Sequence, residues 1–293
     1  MTLATYQSDR ITPIRLVVAA LLAAAGVLVW LPAFQEMFTL AWRDQENSHV
    51  FLVLPVAAAL VYVRRQRLRH FRIRASWIGP VIVLAGWLIA TWGFNHARAS
   101  LWHGGSVVVV VGCIVAVLGK NVIFRFFPAV LLLALLVPVP GIIRMQIAVP
   151  LQAWTAEIAQ VLLAVMGVQT DVSGNTLSIN GEVVTIAEAC NGMRLVFPLM
   201  LTTYAFAFGL PLRNGIRITL LVLSPVIALV SNVLRTTPII WLYGRAEWHD
   251  FADQVHDWTG WLMLIVAFLV LLFILKTMSW AMLPVKRYTL ANP

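Results

Sequence analysis

Cys190 stands between an acid and a base, in the run Glu188-Ala189-Cys190-Asn191-Gly192-Met193-Arg194. A polar, strand-like segment ends just before it, and a long apolar run starts just after it. A thiol at such a boundary can be wetted on one side and dry on the other. The thiolate, not the thiol, is the attacking species, and nearby cations raise its share. Arg235 and His256 supply two further groups that a thiol nucleophile needs. A histidine can take the cysteine proton and return it to a leaving amine. Arginine keeps its charge and cannot act as a base. It can hold a thiolate, or face the oxyanion of a tetrahedral intermediate. Asn232, one turn before Arg235 on the same helix face, can orient it. Glu188, Asp253 and Asp257 are the acids available to orient His256, and the sequence does not choose among them.

Each of these residues also has a plainer reading. A lone cysteine in a membrane segment is usually inert packing, and Cys113, inside the apolar run 107–118, reads that way. At Cys190 the flanking Glu188, Gly192 and Arg194 favour the nucleophile. Arg235 could snorkel to an interface or pair with an acid, and His256 could be an ordinary boundary histidine. Arg194 suits either a phosphate or carboxylate on a substrate, or a structural ion pair. The spacing of His249, Asp250, Asp253 and His256 fits no ligand signature, so neither a metal nor another cofactor is expected. No G-x-S-x-G and no H-E-x-x-H occurs, which weakens serine-hydrolase and zincin readings.

The elements that must position these residues are membrane spans. The 293-residue chain is 61% hydrophobic and 11% charged, against about 25% charged in soluble domains. Its mean hydropathy is +0.88. The net charge of +9 does not point to nucleic acid, because the basic residues cluster in short runs between apolar segments. Two cysteines make no disulfide framework. Many of the twelve tryptophans fall at span ends, as an aromatic belt requires.

Eight stretches are long and apolar enough to be read as crossings: 14–34, 50–63, 77–94, 101–119, 122–140, 193–210, 216–243 and 258–276. The first is too long for a signal-peptide core and reads as an uncleaved anchor. Basic residues crowd the N-terminus and every even-numbered exit: Arg10 and Arg15; Arg64 to Arg74; Lys120 and Arg125; Arg213 and Arg217; Lys276, Lys286 and Arg287. Those ends are expected in the cytoplasm, with both termini. The loop 64–74 would repel a basic substrate and is expected to meet lipid phosphates. The model of eight crossings requires 151–167 not to cross, and its Gln152, Glu157 and Gln160 suggest a re-entrant or amphipathic helix at the outer surface. Pro138, Pro140 and Gly141 make the break before it. The segments 175–179 and 182–186 then alternate polar and apolar about Asn180-Gly181, a strong hairpin signal, with 168–172 as a third strand. The expected fold is an all-α polytopic bundle of about eight transmembrane helices. It forms one membrane domain over 1–293, with an outer-face insert at about 141–187 that carries a small β-hairpin. On this topology Cys190, Arg235 and His256 reach the same outer leaflet from three separate segments.

These residues also carry a resemblance. The chain resembles the exosortase/archaeosortase family, whose core reads roughly E-A-C-S-G-[IL]-R; Glu188 to Arg194 fit it, with Asn191 in place of serine. The family's later N-x-x-R is matched by Asn232 and Arg235, and its histidine before G-W by His256 with Gly260-Trp261. Pro138-Val139-Pro140-Gly141 and Val149-Pro150-Leu151-Gln152 look like the family's P-x-P-G and L-P-L-Q. Trp42, Asp44, Ser48 and His49 look like W-x-x-D-x-x-Y-S-H-G, with Asn47 and Val50 departing from it. The resemblance runs from about Trp42 to about Trp261.

It implies a bacterial exosortase of the short form, without the extra C-terminal domain of some members. Such an enzyme is a membrane cysteine peptidase or transpeptidase. Its partners would be exported, membrane-anchored proteins bearing C-terminal tripartite signals: a short motif such as Pro-Glu-Pro, a transmembrane helix and a basic cluster. Cleavage would pass through a thioester on Cys190, with Arg235 and His256 completing the catalytic set. Transfer to a cell-envelope acceptor could follow. Glu188, Asn191, Gly192, Arg194 and Asn232 would support the site or the substrate. The expected place is the inner membrane, with the site facing the periplasm. Two other functions compete. A transporter or exporter component linked to exopolysaccharide would use Arg235 to line a path, but the two halves show no convincing repeat. An envelope scaffold would use the polar insert for docking and could spare all three residues.

Overall fold

The computed structural model describes residues 13–65, 75–185 and 193–281. They form two compact units, one running to Ile147 with Phe208–Leu210 added, the other comprising Ala148–Ala207 and the chain from Pro211 onward.

In the first unit, α1 (Pro13–Val29) and α2 (Leu31–Arg43) meet at a bend of 77°. Pro32 explains the bend: it lacks the N–H that would continue α1, yet fits the first turn of a new helix. A polar turn follows, then α3 (Val50–Val63). α4 (Ile78–Asn95) and α5 (Ala99–Leu118) are joined by a three-residue turn and lie against each other along their lengths. Glycines make that approach possible. Gly79, Gly86 and Gly93 recur every seventh residue on α4, and Gly105 and Gly112 answer them on α5. A Cβ on Gly79 would stand 2.2 Å from the Ala116 backbone, and one on Gly93 would stand 2.4 Å from the Trp102 nitrogen. In lipid, close backbone packing of this kind holds helices together without a hydrophobic driving force between them. The stretch 122–140 is not one continuous helix. It breaks into α6 (Asn121–Arg125), α7 (Phe127–Leu132) and a 3-10 turn over Leu133–Leu136. Pro128 restarts the helix after Phe126, and Pro138 and Pro140 end it.

α8 (Gly141–Val165) starts where Pro140 and Gly141 predict a break, but runs on through Pro150 for 25 residues. The expected helix at 151–167 is therefore only its later part. α8 is also long and apolar enough to cross a membrane. Its polar residues do not make a single wet stripe: Gln152 is buried, Glu157 is exposed, and Gln160 Nε2 donates to the Thr170 carbonyl at 2.8 Å.

The second unit contains the later part of α8, a three-stranded sheet and three further helices. β1 (Thr170–Ser173), β2 (Thr176–Ile179) and β3 (Glu182–Thr185) are antiparallel in the order β1-β2-β3. Ile179 pairs with Glu182, which leaves Asn180-Gly181 as a two-residue loop. Both carry positive φ, 53° and 87°, as a type I′ turn demands. The hairpin and the third strand thus stand where the alternation places them. Leu177 and Ile179 are fully buried against Ala156, Ala159 and Leu163 of α8 and Ile240 of α10 (Asn214–Tyr243). Asn180 Nδ2 donates to the Gly244 carbonyl at 3.1 Å, pinning the hairpin tip to the end of α10. α9 (Met193–Gly209), α10 and α11 (His249–Ala281) share a core. There Ile216, Leu220, Ile227 and Ala228, from the first half of α10, meet Ala267 and Leu271, from the second half of α11. The two helices are therefore antiparallel.

Among the described residues, α4, α5, α8 and α10 each have the length and composition of a crossing, and the bent α1–α2 pair makes a fifth. The expected count of about eight is larger than this. Among the described residues, α3, α9 and the stretch Phe127–Leu136 are shorter apolar helices.

Candidate active site

α10 buries a run of polar side chains: Ser231, Asn232, Arg235, Thr236 and Thr237. Arg235 is only 3% exposed, so its guanidinium faces protein and does not reach out along the surface. An arginine at such a place costs at least about 2.5–3.5 kcal/mol on insertion scales. Its Nη2 donates to Asn232 Oδ1 at 3.3 Å, as the one-turn spacing predicts. Asn232 Nδ2 in turn donates to Thr155 Oγ1 at 3.3 Å, and Thr155 donates to the Leu151 carbonyl at 2.7 Å. A chain of hydrogen bonds therefore links Arg235 on α10 to the backbone of α8. The sequence reading did not mark Thr155. Its signal was a hydroxyl in an apolar helix at i+3 from Gln152.

His256 is half-buried in α11, seven residues after its start. Arg235 lies eight residues before the end of α10. The two helix ends are tied together: His249 Nε2 meets the Tyr243 carbonyl at 2.9 Å, and the Tyr243 hydroxyl donates to Asp253. With the helices antiparallel and a rise of about 1.5 Å per residue, Arg235 and His256 both sit about 10–12 Å in from that end. The structure thus brings Arg235, Asn232 and His256 to one end of the α10–α11 pair. Of the acids weighed for His256, Asp253 accepts a bond from Tyr243.

Cys190, Glu188, Asn191 and Gly192 lie outside the described residues, as does the Arg194 side chain, although its backbone opens α9. The flanks are described. β3 ends at Thr185 and α9 begins at Met193. The sheet that leads toward Cys190 is anchored on α8 and α10, the helices that carry Thr155 and Arg235.

The earlier motif at Trp42 to His49 forms a separate polar cluster in the first unit. Arg144 Nη1 contacts Asp44 Oδ2 at 2.8 Å and Glu46 Oε2 at 2.9 Å. Asp44 also accepts from Asn47 Nδ2 at 2.9 Å and from the Glu46 N–H at 3.0 Å. His49 is buried, and its Nδ1 lies 3.1 Å from the Glu46 carbonyl. A carbonyl only accepts, so Nδ1 carries the proton. Burial pushes the His49 pKa below the ordinary histidine value. Ser48 is half-buried, and Trp42 is exposed, edge-on to Phe51. The geometry is that of a tie between this turn and the first turn of α8. Arg144, its centre, was not marked in the sequence.

A cleft of about 850 Å³ opens between α8 and the sheet, lined among others by Gln160, Thr170, Asp171, Ser178 and Asn180. Its described lining residues offer amides, hydroxyls and a carboxylate.

A family model described as transmembrane exosortase matches residues 41–273. Comparison with curated proteins and with solved structures gives no match.

Proposed function

The chain belongs to the transmembrane exosortase family, and from that premise we propose that it is a membrane cysteine peptidase or transpeptidase acting on C-terminal tripartite sorting signals. The observation that carries the reading is the buried Arg235, held by Asn232 at the same depth as His256. Cys190 is the nucleophile of this proposal. Its sulfur attacks the scissile carbonyl while its proton passes to His256. Arg235 opposes the negative charge that gathers on the thiolate and then on the carbonyl oxygen. The C–N bond breaks, His256 returns the proton to the leaving amine, and a Cys190 thioester remains. Water or an amine of a cell-envelope acceptor then displaces the thiol. Glu188, Asn191, Gly192 and Arg194 flank the nucleophile and support the substrate, and Asn232 supports Arg235.

An enzyme within the bilayer suits a substrate that is itself a membrane helix near its cleavage point, since the two meet by lateral diffusion. We place it in the inner membrane, with the site toward the periplasm and both termini in the cytoplasm. About eight crossings follow if α8 enters and leaves by the outer face. Under that topology a reporter fused after Gly167 reads periplasmic, and one fused after Arg213 reads cytoplasmic. Both reporters on opposite sides from these would overturn it.

The test of activity is co-expression with a tripartite-signal protein, with mass spectrometry of its new C-terminus. The expected result is shortening by the wild type and none by Cys190→Ala. Equal processing by both would remove Cys190 from the mechanism. The mass of the new end separates hydrolysis from transfer.

A further inference from the structure

The hydrogen bonds that join Thr155 to Arg235 run in one direction only. The Thr155 hydroxyl is fully buried and has a single hydrogen, which it gives to the Leu151 carbonyl 2.7 Å away. Toward Asn232 it can therefore only accept. The group facing it across 3.3 Å must be the amide nitrogen Nδ2. That choice settles the other end of the same side chain: Oδ1 is turned to Arg235 and accepts from Nη2 at 3.3 Å. A flipped amide would set an NH2 against a guanidinium that has only donors. The hydroxyl of Thr155 thus selects the one amide orientation that can hold the arginine.

We propose that Thr155 is a positioning residue of the reaction, fixing the direction of the Arg235 guanidinium through Asn232. The inference rests on the reading of Arg235 as the group that faces thiolate and oxyanion. A guanidinium stabilises developing charge only when its fork points at the place where the charge forms. A mispositioning of about 1 Å at a reacting centre can cost about 100-fold. The neighbouring Ala156 and Ala159 are buried too, so the packing of α8 does not depend on this hydroxyl alone.

Thr155→Val keeps the volume and removes the acceptor, whereas Thr155→Ser keeps the acceptor. In the cleavage assay Thr155→Val is expected to lower kcat about 10- to 100-fold with KM little changed. Thr155→Ser is expected to restore most of that loss. Because both residues act through one relay, adding Thr155→Val to Asn232→Ala should cost less than about a further twofold. A second readout needs no substrate. In a Cys113→Ala background, the pH profile of Cys190 alkylation in membranes should move to higher pH in Thr155→Val and stay in place in Thr155→Ser. If the wild type cleaves no tripartite-signal protein, the proposed function falls, while a shifted alkylation profile still supports the positioning role. An unmoved profile in Thr155→Val overturns it. So do multiplicative losses in the double variant, or equal losses in the valine and serine variants with less protein in the membrane.

Discussion

Gly105→Ala and Gly104→Ala are neighbouring substitutions with opposite expected outcomes. A Cβ on Gly105 would stand 2.4 Å from the Ala90 nitrogen and 2.6 Å from the Gly86 oxygen, both backbone atoms of α4. Ordinary contact begins at 3.4 Å, so the two helices must part by about 1 Å. A Cβ on Gly104 would meet only a Val137 methyl at 3.8 Å. Both substitutions gain the same helix propensity, up to about 1 kcal/mol. The gap between them therefore isolates the packing of α4 on α5. Overpacking costs about 1–3 kcal/mol, and the upper end applies here because backbone cannot rotate away. At about 2–4 °C per kcal/mol for a chain near this size, the gap in Tm should be roughly 5 °C or more. The assay is thermal unfolding of the two purified variants and the wild type in one detergent. Gly104→Ala is expected to match or exceed the wild type, and Gly105→Ala to fall below both. Equal loss in the two would refute the reasoning, since it would mean that direct backbone contact does not hold this hairpin.

The remaining expectations concern the His49 turn and the β2–β3 hairpin. His49 is buried with its pKa depressed, so the folded protein binds fewer protons than the unfolded chain as pH falls through the ordinary histidine range near 6.5. Its contribution is thus present above that range and lost on acidification; the fall in Tm between pH 7.5 and 5.5 should shrink in His49→Gln. At the hairpin, Gly181→Val forces a β-branched residue to φ 87° and should cost about 1–2 kcal/mol. Limited proteolysis should then cut near residue 181 faster than in the wild type, and unchanged protection would exclude a turn of this geometry.

The hairpin was legible because its signal is local. Asn180-Gly181 can take two positive φ values in succession, and alternation in β2 and β3 decides which face is buried. The break before α8 was legible for the same reason, since Pro140 and Gly141 act on their own neighbours. Two other features depend on distant residues. The glycines of α4 and α5 lie in runs that read simply as apolar spans. Their seven-residue spacing gains meaning only when two such helices face each other. α8 read as partly polar and peripheral because Gln152, Glu157 and Gln160 count against insertion one by one. In the fold Gln152 is buried and Gln160 bonds to the sheet, so its polarity is spent inside the protein.

The two arginines of these polar clusters differ in burial. Arg144 is one-third exposed and contacts two carboxylates, Asp44 and Glu46, within 3 Å. Its charge is compensated locally, and a tie between a turn and a helix start accounts for it. Arg235 is nearly inaccessible, at 3%, within a 30-residue apolar helix. Asn232 accepts from it, and Thr155 accepts from Asn232. What they supply is direction: a hydroxyl that can only accept, an amide that can then point only one way, and a guanidinium whose Nη2 donates to that amide. A buried charge held in a fixed orientation is what a site that must meet a developing negative charge requires.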